Sequence, residues 1–168
     1  MSIAIVKSQA LLGLQSWPIE VEVHLANGLP SFTLVGLAQG AVREARERVR
    51  CAIQQSGYEF PSNRRITVNL ANGSNERKGG AGLDVAIAIG LLVVQEVLTV
   101  EAISKYSFIG ELGLDGSLRS VAGIVPLVAA IDDRTVVVPR IAEHEARIVA
   151  QGNVCAVASL AELVACIR

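Results

Sequence analysis

The segment Ala71-Asn-Gly-Ser-Asn-Glu-Arg-Lys-Gly-Gly-Ala-Gly82 gathers the residue types that bind anions. It joins an expected strand to an expected helix, and at such a junction free amide groups and the helix dipole favour negative charge. Gly79, Gly80 and Gly82 would let backbone approach a ligand, while Arg77 and Lys78 add positive charge. The known phosphate signatures are missing: no G-x-x-x-x-G-K-[ST] stands in the chain, and Gly80-Ala81-Gly82 lacks the third glycine of a dinucleotide fingerprint. The plain alternative is a surface loop, since loops favour glycine whatever they do.

A second set sits on a helix. Arg43, Arg46 and Arg50 fall at i, i+3 and i+7, one face of the expected helix Gln39–Gln55, with Arg48 displaced from it. Arg64 and Arg65 follow shortly after. These five arginines are the candidates for contact with DNA phosphates or with a neighbouring subunit. Glu44 and Glu47 interleave with them, so Glu44–Arg48 and Glu47–Arg43 pairs would instead make an ordinary solvated face.

Catalytic constellations are not assembled. Serine–lysine chemistry needs a nucleophile beside a base, yet the lysines are Lys7, Lys78 and Lys105, and the start of the expected second helix reads Gly79-Gly80-Ala81-Gly82, with Ser74 the nearest hydroxyl. His24 and His144 stand near no serine in a nucleophile-elbow setting, and His144-Glu145 is not completed into H-E-x-x-H. For Mg²⁺ only Glu76 and Asp84 offer themselves. No catalytic residue and no metal site is expected.

The elements that would hold these residues follow from periodicity. Ile19 to Leu25 alternates apolar and polar residues, the mark of a half-buried strand, with Pro18 opening it. Ile3–Leu14 is read as another strand, Asn27-Gly28 as a hairpin turn, and Ser31–Val35 as the returning third strand. From Gln39 the period changes: Val42, Ala45, Val49, Ala52 and Ile53 make an amphipathic stripe, closed by Gly57. Arg65–Leu70 is a β-branched strand. The helix Ala81–Val97 carries Asp84 as its only charge before Glu96, so it is predicted to be buried on every side, with Asp84 a capping or internally satisfied carboxylate. Beyond it come a hairpin of Phe108–Leu112 and Leu118–Val121 about Asp115-Gly116, helix Ile124–Ile131, strand Val136–Val138, helix Ile141–Gln151 and strand Val154–Val157. Ser159 and Glu162 spell a capping box for the last helix. The fold class is α/β: a single domain over residues 1–168 with a mixed β-sheet and packed helices.

Composition sets outer limits. The 168 residues include 51% hydrophobic and 18% charged side chains, the opposite of a disordered chain. Fifteen basic and sixteen acidic residues leave a net charge of −1, so any nucleic-acid contact must be a local face. The longest apolar run, Val85–Val94, is ten residues, where a membrane span needs about 20. No membrane partner is expected, and the start of the chain does not read as a signal peptide. Cys51, Cys155 and Cys166 form no CxxC and read as reduced core residues of a cytoplasmic protein.

Several runs carry a family resemblance. Val21–Leu37, Ala41–Arg50, Arg64–Ala71, Phe108–Arg119 and Val136–Pro139, in that order, resemble the amino-terminal domain of the ComM/YifB family of magnesium-chelatase-like AAA+ ATPases. After Asn69-Leu70-Ala71, where family members carry a proline-containing run, this chain reads Asn72-Gly-Ser-Asn-Glu76. The resemblance implies a fold like the Lon proteolytic domain, which GHMP small-molecule kinases share. The protease serine would fall near Ala81 or Gly82 and its lysine near Pro126 or Leu127, and neither side chain is present. It further implies a homo-oligomeric ring, a hexamer in the longer protein, that binds DNA and drives branch migration during natural transformation. ATP and Mg²⁺ are then expected on an AAA+ module lying beyond these residues. Two alternatives stay open: small-molecule or nucleotide binding through the glycine-rich loop 73–82 in the manner of a GHMP kinase, and a stand-alone scaffold that only self-associates.

Overall fold

A computed structural model describes residues 3–36, 39–71 and 82–168. The chain is a mixed α/β domain. Strand β1 (Ile3–Leu12) turns through Gly13 and Leu14 into β2 (Gln15–Ala26), with Gly13 at φ +63°, where a side chain would be strained. Strand β3 (Ser31–Val35), helix α1 (Gln39–Gln55) and strand β4 (Arg65–Ala71) follow. The sheet order is β1-β2-β4-β3, with β4 antiparallel to β2 and parallel to β3.

That order corrects the expected β2–β3 hairpin. Asn27-Gly28 does bend the chain, but β3 passes beyond the position later filled by β4, and α1 is the crossover that a parallel pair requires. Pro18 also lies inside β2 and does not open it. It pairs with Gln9 of β1, while the ladder to β4 starts only at Glu20, so the missing N–H falls where β2 is an edge.

Helix α2 (Asp84–Val94) starts three residues later than expected and ends three earlier, and all eleven of its residues are buried. It lies on the sheet face made by Ala4, Val6, Val21, Val23 and Val68. The close approach depends on Gly90: a Cβ there would stand 2.4 Å from Val23 Cγ2. The other sheet face is mixed: Glu20, Glu22, His24, Thr67 and Asn69 share it with the exposed Ile3, Ile5 and Val35, Asn69 donates to Glu22 at 2.8 Å and Lys7 pairs with Glu20.

The rest forms a second, parallel sheet. After the short helix α3 (Val100–Ile103), capped by Thr99 and not foreseen from sequence, come β5 (Tyr106–Phe108), β6 (Glu111–Leu112), β7 (Leu118–Arg119), α4 (Ile124–Ala129), β8 (Thr135–Pro139), α5 (Glu143–Val149), β9 (Val154–Val157) and α6 (Leu160–Ile167). The order β5-β8-β9 is all parallel, and β6 and β7 make the expected hairpin. Phe108 therefore belongs to a different sheet from Leu112. Helix Ile141–Gln151 is likewise split, into a 3-10 turn over Arg140–Ala142 and then α5. At α6 the Ser159 hydroxyl accepts from the Glu162 N–H at 3.2 Å, while the Glu162 carboxylate takes the Ala158 N–H at 2.8 Å. The cysteines are not core residues: Cys51 and Cys155 are half-buried and Cys166 is exposed, all as free thiols. Among the described residues no helix is long and apolar enough to cross a membrane.

Gly90→Ala is expected to destabilise the domain by about 1–3 kcal/mol, because overpacking against Val23 outweighs the roughly 1 kcal/mol that alanine gains in a helix. Urea unfolding of this variant and of Gly90→Ala/Val23→Ala checks it: the second change should recover part of the loss.

Candidate functional site

Helix α1 is built as its sequence dictates. Ala45, Val49, Ala52 and Ile53 are buried, and the helix ends in a Schellman turn, with Tyr58 N–H bonded to Ile53 C=O at 3.1 Å and Gly57 N–H to Gln54 C=O at 3.0 Å. Gly57 sits at φ +84°, which explains the glycine. Against α2 and the inner sheet face, this leaves the opposite flank of α1 to solvent.

The five candidate arginines divide. Arg43 and Arg46 are exposed and form no ion pair among the described residues. Arg50 shares their flank, but its Nε and Nη2 both donate to Glu47 Oε2, at 3.1 and 2.7 Å, and this raises the guanidinium above its ordinary range. The expected Glu47–Arg43 pair is thus replaced by Glu47–Arg50. Arg64 is half-buried, with Nε 3.4 Å from the Ala26 carbonyl, and lines an open cavity of about 600 Å³ beside Glu59 and Glu96. Arg65 is exposed at the start of β4, its guanidinium lying over Gly28. It shares the outer sheet face with Thr67 and Asn69, whereas α1 packs on the inner side, so Arg64 and Arg65 are not brought together with Arg43 and Arg46.

Of the candidate anion-binding loop, Arg77, Lys78, Gly79 and Gly80 lie outside the described residues. Gly82 is described: at φ +92° it accepts the Gly110 N–H at 3.1 Å, and a Cβ there would meet Val121. Glu76 also lies outside the described residues. Among the described ones no cluster of three His, Cys, Asp or Glu side chains could hold a metal.

The residue displaced from the arginine face has its own task. Arg48 reaches inward, with Nε 2.6 Å from Asp84 Oδ2 and Nη2 3.2 Å from Oδ1, a two-pronged bond. The Leu112 N–H takes Asp84 Oδ2 as well, at 3.1 Å. Asp84 is 1% exposed, and burial pushes its carboxyl above the ordinary range even against these donors. Arg48 is raised in turn, chiefly by its bond to Asp84. Glu44 stands 3.8 Å from Arg48 on the solvent side. Asp84 is therefore the internally satisfied carboxylate expected, and the clue to its partner was the one arginine off the common face.

A groove of about 640 Å³ had no signal in the sequence. It lies between β1 and the turn after α4 and is lined by Lys7, Glu20, Lys105, Asp132, Asp133 and Arg134, charges of both signs drawn from distant parts of the chain.

Comparison with known proteins follows the same residues. The family model described as "Subunit ChlI of Mg-chelatase" matches residues 21–141. Protein YifB of Escherichia coli K12 is 42% identical over 160 residues, 94% of this chain and 31% of that protein. Competence protein ComM of Haemophilus influenzae is 40% identical over 155 residues, 91% of this chain and 30% of that protein. YifB of Salmonella typhimurium is 49% identical over 125 residues, 74% of this chain and 24% of that protein. The chain thus spans about a quarter to a third of the length of these relatives.

Arg48→Ala leaves the Asp84 carboxylate buried with only the Leu112 N–H, and is expected to cost about 3 kcal/mol at neutral pH. Asp84 is raised in the folded state, so the fold binds its proton more tightly than the unfolded chain does. Its contribution is therefore largest at acid pH and declines as pH rises through the folded value. The gap between parent and variant should narrow as pH falls through the carboxylate range, and urea midpoints at stepped pH would read it. A gap that widens in acid contradicts the assignment.

Proposed function

The chain belongs to the family of the Mg-chelatase subunit ChlI, and from that premise we propose that it is a non-catalytic amino-terminal portion of an AAA+ motor of the ComM/YifB kind. In this reading it engages DNA phosphates through Arg43 and Arg46 and supports a homo-oligomeric, hexameric ring in the cytoplasm. ATP and Mg²⁺ act on a separate AAA+ module, and the motor drives branch migration of DNA during natural transformation. The portion itself folds like a Lon proteolytic domain without its serine and lysine.

One observation carries the DNA contact. Arg43 and Arg46 are the two α1 arginines that project into solvent with their charge unspent among the described residues. In a chain of net charge −1, such a local pair is where a phosphate backbone would be attracted. Arg50 contributes less, because Glu47 already offsets it.

Arg43→Gln/Arg46→Gln should weaken binding to a labelled duplex and reduce the salt slope by about 1.8, the loss of two neutralised phosphates. Arg50→Gln should change the slope by well under half of that. Fluorescence anisotropy between low and physiological salt checks both, and equal slopes in parent and double variant would remove α1 from the interface.

A thermal-shift measurement with millimolar ATP and Mg²⁺ addresses the loop 73–82. A site filled at 100 times its Kd stabilises by about 2.7 kcal/mol, and the expected result for this chain is no shift. A clear shift would favour nucleotide binding through that loop over the DNA-contact reading.

A further inference from the structure

The geometry points to Arg48 and Asp84 as a positioning pair for the arginine face of α1, retained for orientation more than for stability; this rests on the reading of that face as a DNA contact. One carboxylate gathers three elements: it starts α2, takes both prongs of Arg48 from α1, and accepts the Leu112 N–H from β6. The other α1 contacts to the core are apolar, through Val49, Ala52 and Ile53. Such contacts choose which face of the helix turns inward, but being non-directional they hold its exact angle and register less tightly than a hydrogen bond does. A forked guanidinium on a carboxylate fixes both angle and register. Arg48 lies two residues from Arg46 and five from Arg43, so the turn of the helix that Arg48 fixes also decides where those two charges point.

The energetic balance points the same way. Asp84 is 1% exposed and the Arg48 side chain 23%. Burial outweighs the hydrogen bonds at Asp84, whose carboxyl stays raised although the two prongs of the Arg48 cation and the Leu112 N–H face it. The other charges facing the pair, Glu44 on α1 and Glu111 on β6, are acidic and favour the Arg48 cation without relieving Asp84. Buried pairs of this kind are often replaceable by uncharged side chains with no loss of stability, whereas removing one partner is costly. A contact that gives little net stability but fixes direction is suited to aiming the arginines beside it.

The test is made on the full chain with Arg48→Met/Asp84→Asn, which removes both charges and keeps an oxygen for the Leu112 N–H. The expected result is a melting temperature within about 2 °C of the parent or above it. Amide exchange across residues 42–50 should run about tenfold faster, and affinity for a fluorescein-labelled duplex should fall about threefold to tenfold. Arg48→Lys keeps the charge but not the fork and should recover part of the exchange protection. A double variant that melts far below the parent makes the pair a stabilising contact and overturns the proposal, as does unchanged exchange in α1. Should the double variant not fold, parental exchange in Arg48→Lys overturns it equally. Faster α1 exchange in a chain whose parent shows no salt-dependent DNA binding upholds the positioning role and defeats only the DNA reading.

Discussion

A helix without a polar face must be covered on every side, and the architecture follows from that requirement. Every residue of α2 is buried, and its single charge is at its first position. The sheet supplies one cover through Val6, Val21 and Val23, close enough that only glycine fits at position 90. Helix α1 and the β6–β7 hairpin supply others, and the hairpin's Gly116 comes up against Ala52 and Ser56 of α1. The Asp84 carboxylate then needs partners that can follow it into the interior, and Arg48 and the Leu112 amide are those partners. Clustering strands early in the chain and β-α alternation late is thereby reconciled in one domain: the first sheet and the hairpin enclose α2, and the parallel sheet carries the second apolar cluster around Ile109, Val136 and Val138.

The electrostatics of α1 follow from the same packing. With Ala45, Val49 and Ala52 turned inward, the positions at i, i+3 and i+7 from Arg43 face solvent, and Arg48 falls on the boundary. Boundary residues on a helix can reach either way. Arg48 is drawn inward because a buried carboxylate is a far stronger attraction than an exposed Glu44 at the same helix spacing, where a surface pair is worth under about 1 kcal/mol. Four arginines that look alike in sequence therefore have three fates: two without an ion pair among the described residues, one offset by Glu47, one half-buried against Asp84. Net charge conceals this division.

Where the sequence was legible, one element's own periodicity decided the matter. Helix α1 and strand β9 have the expected limits, β2 alternates as read, and the burial of α2 was evident from its lack of a polar side. What was not legible depended on partners far along the chain. Asn27-Gly28 is a sound turn signal, but nothing local says that β4 will come between the two strands it separates. Phe108 and Leu112 read as one strand because the chain reaches a new sheet through Ile109 and Gly110, and Gly110 at φ +154° marks the break only once the fold is known. The candidate site was half legible. The arginine stripe on α1 was plain, whereas the loss of Arg50 to Glu47 and of Arg64 to the Ala26 carbonyl turned on rotamers and on a distant backbone.

The head of α2 and the exposed flank of α1 differ in how their charges are committed. A helix N-terminus attracts anions through free N–H groups and the dipole. At α2 the protein's own carboxylate stands in the first turn, the Val85 N–H is directed at the Gly110 carbonyl at 3.4 Å, and the Gly82 carbonyl is held by the Gly110 N–H. A phosphate approaching this end would meet a negative charge already in place, with Arg48 already committed to it. On the exposed flank of α1, Arg43 and Arg46 face solvent, with Glu44 turned towards Arg48 and Glu47 towards Arg50. The pairing at the head of α2 thus takes Arg48 out of the exposed arginine set and leaves Arg43 and Arg46 on the solvent side of α1. One buried carboxylate ties the head of α2 to α1 and to β6.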